Sequence, residues 1–409
     1  MVFMASTKTT PKPQASAASA KPEIVSASQN SLLKRIGFIA LTLVVGGLVG
    51  WFARSAVILN GANLASNDIA NVRELLQSSY DGDIDTAKQA EGAIRGLVAS
   101  LGDPYTTYLD TAEAKDLSDD LKGELSGVGI EVGIKNNRLT VIAPIDGTPA
   151  AKAGIRAGDI IALIDGKDSS EFTLDEAVKR IRGAKGTEVK LTIIRGSEKA
   201  REIAITRDTI MVSSVTYAVK DGNVGYIKLR RFGDDTELAF RNATADLASK
   251  GVKSVVLDLR DNPGGYLDGA VSVSSEFVSK GTIVEERSRH FTESKTLTAN
   301  AGGNLTNVKV IVLINQGSAS ASEITAGALK DNGRATLVGE KSFGKGSVQE
   351  VKQLLSGAQL KITVAHWYTP KGVNISKEGI APDVEVKLTN DDYNAGRDPQ
   401  LDKALELAR

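Results

Sequence analysis

Three serines alternate with small residues in Gly317-Ser318-Ala319-Ser320-Ala321-Ser322-Glu323, and a lysine flanked by glycines, Gly344-Lys345-Gly346, follows them. A serine hydroxyl needs a base to act as a nucleophile at neutral pH, and lysine can be that base when burial disfavours its ammonium form. The strand-like run Val308 to Ile314 precedes the serines, and an apolar run from Ile324 follows them. The spacing predicts strand, tight turn and helix. At such a helix N-terminus, free backbone N–H groups and the helix dipole favour negative charge, so an amide there could hold an oxyanion. The same residues carry a second reading, because Ser320-Ala321-Ser322-Glu323 also fits the capping box.

Two further stretches belong with this chemistry. Asp258-Leu259-Arg260-Asp261-Asn262-Pro263-Gly264-Gly265 leaves a strand-like run and turns into a helix, and its paired glycines permit close backbone approach. Taken alone it is a turn. Gln349 follows Lys345 within Gly344-Lys345-Gly346-Ser347-Val348-Gln349. On a strand these two side chains share a face with Cα atoms about 13 Å apart, so contact needs a bend, for which Gly346 is placed. Asp331 lies eleven residues beyond Ser320, about 16 Å along a helix. It is therefore assigned to helix C-terminal structure or an ion pair with Arg334.

Composition excludes several alternatives. The 409-residue chain has no cysteine and two histidines, His290 and His366, so no disulfide, no cysteine nucleophile and no histidine metal centre is expected. With both histidines outside any motif, a serine–lysine pair is favoured over serine–histidine–aspartate. Formal net charge is zero, which argues against nucleic acid as a partner. The glycines near Gly129 do not form a dinucleotide fingerprint, and Lys345 does not sit in a phosphate-binding loop. No cofactor is expected.

The elements that must position these residues follow from periodicity. Residues 1–33 read as a disordered cytoplasmic tail. Residues 34–58 read as a transmembrane anchor: an uncharged run from Ile36 to Phe52 between Lys34-Arg35 and Arg54. A cleaved signal peptide is the competing reading, but no small-residue cleavage site follows closely. Basic residues on the N-terminal side place that side in the cytoplasm and the rest of the chain outside the cell membrane. Residues 66–122 read as a helical segment, with helices at Ser66 to Tyr80 and from Asp85. Residues 123–208 read as short strands around one capped helix at Thr173-Leu174-Asp175-Glu176. Residues 209–390 alternate strands and helices, which predicts helices on a mostly parallel sheet. Residues 391–409 read as a charged helical tail.

The segment at 123–208 resembles a PDZ domain. Pro149 to Ile161 carries its small-residue helix and Gly-Asp turn, and Gly127, Val128, Gly129 and Ile130 correspond to the loop that binds a peptide's C-terminal carboxylate. Glycine there lets N–H groups converge on an anion beside a strand that can pair with an extended peptide. With Asp-Leu-Arg-x-Asn-Pro-Gly-Gly, Gly-Ser-Ala-Ser-Ala-Ser-Glu and Gly-Lys-Gly-x-x-Gln downstream, the chain resembles the carboxyl-terminal processing (tail-specific) serine proteases from about Ile69 onward. The resemblance implies an α/β protease core of the crotonase/ClpP-like type with an inserted PDZ domain. It implies Ser320 as nucleophile, Lys345 as general base and Gln349 as its orienting partner. Backbone N–H groups of Gly264, Gly265 and Ala321 then form the oxyanion hole. Expected partners are protein or peptide substrates held by their C-termini, with self-association into a homo-oligomer left open. A non-catalytic PDZ scaffold that binds protein C-termini is the alternative function.

Overall fold

A computed structural model describes residues 67–145, 147–290 and 292–409. The expected tail and anchor lie outside the described residues. Among the described residues, no helix is long and apolar enough to cross a membrane. The chain divides into two compact units, residues 1–86 and 87–409. In the first, residues 67–79 form a helix whose apolar stripe of Ile69, Val72, Leu75 and Leu76 is exposed.

In the second unit, a six-stranded sheet leads into the paired glycines and Ser320 from the ends of two of its strands. Val215–Lys220 runs antiparallel to Val224–Leu229. Then Ser254–Asp258, Lys309–Ile314, Ala335–Gly339 and Val384–Glu385 add in parallel. These central strands read as continuous β-branched runs because both faces are covered. Val255, Leu257, Val310 and Val312 enter one core with Phe240 and Phe277. Val256, Ile311 and Leu313 enter another with Ala404 and Ala408 of the last helix, Pro399–Ala408. Alternate residues of each strand thus serve opposite layers.

Helices Thr236–Ser249, Leu267–Ser275 and Ala321–Asp331 cover the first face. In the first of these Phe240 and Leu247, seven residues apart and so on one face, are buried, whereas Leu238, two residues before Phe240, lies on the opposite side and is exposed. A second, five-stranded sheet pairs Gln359–Tyr368 with Thr107–Leu109, Thr282–Arg287 and Ser347–Gln353, and carries Lys295–Thr298 at its edge.

The Asp-Leu-Arg run has a structural use. Asp258 is buried and accepts from Arg260 Nη2 at 2.7 Å, Lys228 Nζ at 3.2 Å and the Tyr226 hydroxyl at 2.8 Å. Arg260 also donates to both oxygens of Asp398, at 2.8 and 2.9 Å, and to Gln400 at 3.1 Å. These bonds tie the last helix to the strand that leads into the paired glycines.

Between Glu124 and Met211 the chain forms a separate antiparallel sheet of Ile130–Lys135, Arg138–Pro144, Ile160–Ile164, Glu188–Ile194 and Arg201–Thr206. Its first hairpin turns at Asn136-Asn137, both at positive φ (50° and 57°), as a two-residue turn requires. Helix Leu174–Ile181 begins at Thr173 with the capping box in place: Glu176 N–H donates to Thr173 Oγ1 at 3.3 Å, and Thr173 N–H donates to Glu176 Oε2 at 2.8 Å. A two-stranded ribbon, Glu124–Gly127 with Asp208–Met211, brackets this domain.

Candidate active site

Of the three alternating serines, one faces a cavity. Ser318 is buried; its hydroxyl donates to the Leu259 carbonyl at 2.8 Å and accepts from Asn315 N–H at 3.0 Å. Ser322 is buried and donates to the Asn262 carbonyl at 2.9 Å. Ser320 instead lines a cavity of about 650 Å³ that it shares with Gly264, Gly265, Ala321, Lys345 and Gln349. Its backbone is at φ 55°, ψ −115°, a conformation that non-glycine residues rarely adopt and that costs about 1–3 kcal/mol. The helix Ala321–Asp331 starts immediately after it.

The glycine turn lies against this serine. Gly264 has φ 99°, and a Cβ there would sit 2.7 Å from the Ala319 carbonyl oxygen and 2.8 Å from Ser320 Cβ. Gly264 N–H is already donated to Asn262 Oδ1 at 2.9 Å, which departs from its expected place among the oxyanion donors. The side chain before Pro263 closes an Asx turn that consumes this amide. Asn262 is itself buried, holds the Leu229 carbonyl through Nδ2 at 2.8 Å, and accepts Ala319 N–H on its carbonyl at 3.0 Å. Gly265, at φ 139°, and Ala321, the first residue of its helix, are left with N–H groups that no described residue accepts. Two unengaged amides therefore flank Ser320.

Lys345 occupies the loop before strand Ser347–Gln353. Its ammonium lies 5.5 Å from the centre of the Tyr105 ring, and its carbonyl accepts from Nε1 of the buried Trp367 at 2.9 Å. Leu117, Leu121, Leu125 and Ile324 add apolar wall to the cavity. Burial, and then the positive charge of Lys361, lower the lysine's pKa to about 8 from an ordinary 10.5, against the pull of Glu323 and Asp103. Gln349 lies in the same wall, just after a bulge between Val348 and Gln349. Its amide nitrogen bonds Ser347 Oγ at 2.8 Å and Thr363 Oγ1 at 3.2 Å, and among the described residues no bond joins it to Lys345.

One residue was visible in the sequence only as half of a capping box. Glu323 is fully buried and accepts Ser320 N–H at 2.9 Å, as that motif predicts. It also accepts Gly344 N–H at 2.7 Å, Lys345 N–H at 3.0 Å and the Ser342 hydroxyl at 2.6 Å. This carboxylate joins the serine turn to the lysine loop. Asp331 stays away from the site, as expected, yet its partner is not Arg334. Asp331 accepts Lys371 N–H at 3.0 Å, while Arg334 donates to the carbonyls of Phe277 and Val308, each at 2.8 Å. His290 and His366 do not line the cavity.

A second groove runs between strand Ile130–Lys135 and helix Leu174–Ile181. Gly127, Val128, Gly129 and Ile130 close one end, and Val132, Val178, Ile181 and Arg182 line the rest. Gly129 is at φ 81°, and a Cβ there would collide with the Thr148 side chain. The carbonyls of Val128 and Gly129 are taken by Ala150 and Ile145 N–H, whereas among the described residues nothing accepts the N–H of either.

A PDZ-type groove beside a cavity that holds a serine, a lysine and unengaged amides defines a class, the PDZ-bearing serine peptidases. The profile of peptidase family S41 matches residues 223–386, that of the PDZ domain 116–194, and that of the N-terminal domain of the activating protease CtpB 56–113. The chain is 43% identical over 373 residues to a carboxy-terminal-processing protease of Bartonella bacilliformis, spanning 88% of this chain and 86% of that one. It is 40% identical over 354 residues to a CtpA-like serine protease of Staphylococcus aureus strain MSSA476, spanning 86% and 71%.

Among solved structures, the photosystem II D1 C-terminal processing protease aligns with a TM-score of 0.50 at 32% identity, over 78% of this chain and 86% of that one. An S41 protease from Bacteroides fragilis shares the fold, with a TM-score of 0.60 at 18% identity over 80% and 92%. The chain belongs to peptidase family S41, with the carboxy-terminal-processing serine proteases.

Proposed function

We propose that this chain is a serine endopeptidase in which Ser320 is acylated with Lys345 as its general base, and that it selects substrates by their C-termini. The observation that carries the reading is that Ser320 alone of the three alternating serines faces the cavity, together with a lysine held partly neutral by burial. In the first step the neutral Lys345 amine takes the Ser320 hydroxyl proton as Oγ attacks the scissile carbonyl carbon. The negative charge that forms on the carbonyl oxygen is met by the N–H groups of Gly265 and Ala321. The resulting ammonium then protonates the departing amine, leaving an acyl-enzyme. A water molecule, deprotonated by the same lysine, releases the acid product and restores Ser320. Gln349 acts on the wall of the site rather than on the transferred proton.

Acylation by a serine-reactive probe tests this. Wild type should label and cleave peptides, and Ser320→Ala, folded to the same melting temperature, should do neither. Undiminished labelling and cleavage in Ser320→Ala would overturn the assignment.

The placement in the cell belongs to the same proposal. The segment at 34–58, through its uncharged run Ile36 to Phe52, anchors the chain in the cell membrane, with residues 1–33 inside and the PDZ and protease domains (123–208 and 209–390) outside. The support is the basic flank of that run. Protease added to intact cells should degrade residues beyond Ala56 and spare the N-terminal tail. The opposite pattern reverses the topology.

A further inference from the structure

Lys361 stands in the strand Gln359–Tyr368, opposite Val351 on one neighbouring strand and Thr107 on the other. Side chains two apart on a strand share a face, so Lys361 and Thr363 form one row, with Val351 and Gln349 opposite them. Gln349 bonds Thr363 across the two strands at 3.2 Å, and Gln349, Val351 and Lys361 all line the cavity that contains Ser320. The register thus turns Lys361 toward the reacting centre.

Its charge has no counterpart. Arg231, on the same wall, donates to Asp235 at 3.0 Å, and Arg230 donates to the Thr216 hydroxyl at 3.0 Å. Among the described residues Lys361 has no carboxylate in ion-pair reach and no side-chain hydrogen bond. The cavity's other residues include one carboxylate, Asp120, against Arg230, Arg231, Lys345 and Lys361. A half-buried ammonium facing such a space loses hydration without gaining a partner. Its charge also reaches Lys345, where it is the second cause of the lowered pKa. A peptide backbone is neutral, so the substrate groups that complement Lys361 are carboxylates: an Asp or Glu side chain, or the free terminus.

We propose that Lys361 is a specificity-determining residue that pairs with a carboxylate of the peptide substrate beside Ser320. This rests on the reading that peptides are cleaved in this cavity. It adds a charge requirement distinct from the PDZ-type groove, which Lys361 does not line.

The test uses the full chain and four versions of one cleaved peptide: Glu or Gln near the cut, each with a free or amidated C-terminus. The readout is a ratio of kcat/KM within each protein, so a general change in rate cancels; comparing that ratio between wild type and variant removes the PDZ contribution to the acid/amide preference, which is common to both. In wild type one carboxylate form should be favoured over its neutral counterpart about tenfold, as a charge-assisted contact gives. Lys361→Arg should keep the preference, Lys361→Gln should lower it about tenfold, and Lys361→Glu should lower it further. A change in the Glu/Gln ratio identifies a side chain as the source, and a change in the acid/amide ratio identifies the terminus. No preference in wild type, or one unchanged in Lys361→Gln, overturns the proposal. If Lys361→Gln does not fold, the contrast between the arginine and glutamate variants decides. Wild-type cleavage of the neutral amidated peptide, absent in Ser320→Ala, keeps the peptidase reading standing whichever way Lys361 falls; absence of all cleavage by wild type ends both.

Discussion

Ser320 and Lys345 each sit at a cost: one in backbone strain, the other in lost hydration. In the proposed mechanism both costs have a use. The strained turn presents the hydroxyl beside two free amides, and burial keeps part of the lysine in the form that can accept a proton. Because the pKa lies at about 8, the neutral base is the minor form at pH 7 and the major form above pH 8. kcat/KM should therefore rise with pH and level off above about 8, with the lysine as the group that titrates. Lys345→Arg keeps the charge but cannot be deprotonated here. It should lose activity by about 10²–10⁴-fold at every pH up to 10, measured on a protein shown to be folded. Near wild-type turnover would remove Lys345 as the base. At this scale the residue types were legible in the sequence, but the choice among serines was not a matter of spacing. Ser318 and Ser322 are occupied by the carbonyls of Leu259 and Asn262, contacts that exist only once the strand carrying Asp258 lies beside the serine turn.

The elements show how that arrangement is held. Glu323 satisfies its own helix N-terminus and also fixes the loop 342–345 through two amides and a hydroxyl. Hydrogen bonds to a charged acceptor contribute about 1.5–3 kcal/mol each, and a buried carboxylate stripped of donors is costly. Glu323→Gln replaces one acceptor with an NH₂ group aimed at existing donors. It should lower both kcat/KM, by about 100-fold or more, and thermal stability, by about 2–4 kcal/mol. Unchanged kcat/KM would show that the two catalytic segments hold their positions without this carboxylate.

The capping motif predicted the first of these bonds and gave no hint of the others, because the loop is joined to the helix only through the fold. The main parallel strands were readable from β-branched runs, and the Leu174–Ile181 helix from its capping box. Thr282–Arg287, Lys295–Thr298 and Ser347–Gln353 were not. Exposed charged residues such as Arg287, Lys295 and Glu350 interrupt their apolar pattern, since much of this second sheet faces solvent.

At the scale of the whole molecule, the order of motifs along the chain foretold a PDZ domain followed by a protease core, as the matched profiles bear out. Spatial adjacency was hidden. The Asp258–Arg260 pair reaches Asp398, 138 residues beyond Arg260, and nothing local in the sequence announces that contact. The ribbon of Glu124–Gly127 with Asp208–Met211 is similar, since its strands bracket the whole PDZ segment. On that ribbon, Leu125 lines both the PDZ-type groove and the cavity of Ser320. Two grips on one substrate that share a wall act as a ruler. On the proposed reading, a chain end seated in the groove can lay only a limited span of backbone back to Ser320, so the molecule would measure off its cut from the end it holds. Mass spectrometry of fragments released from one substrate should find a narrow spread of lengths. Moving the substrate's terminus outward by added residues should move the cut by the same number, and amidating it should blur the measure. A cut that stays at one sequence position regardless of where the terminus lies would show that the gauge is set by local sequence and not by the spacing of the two grips.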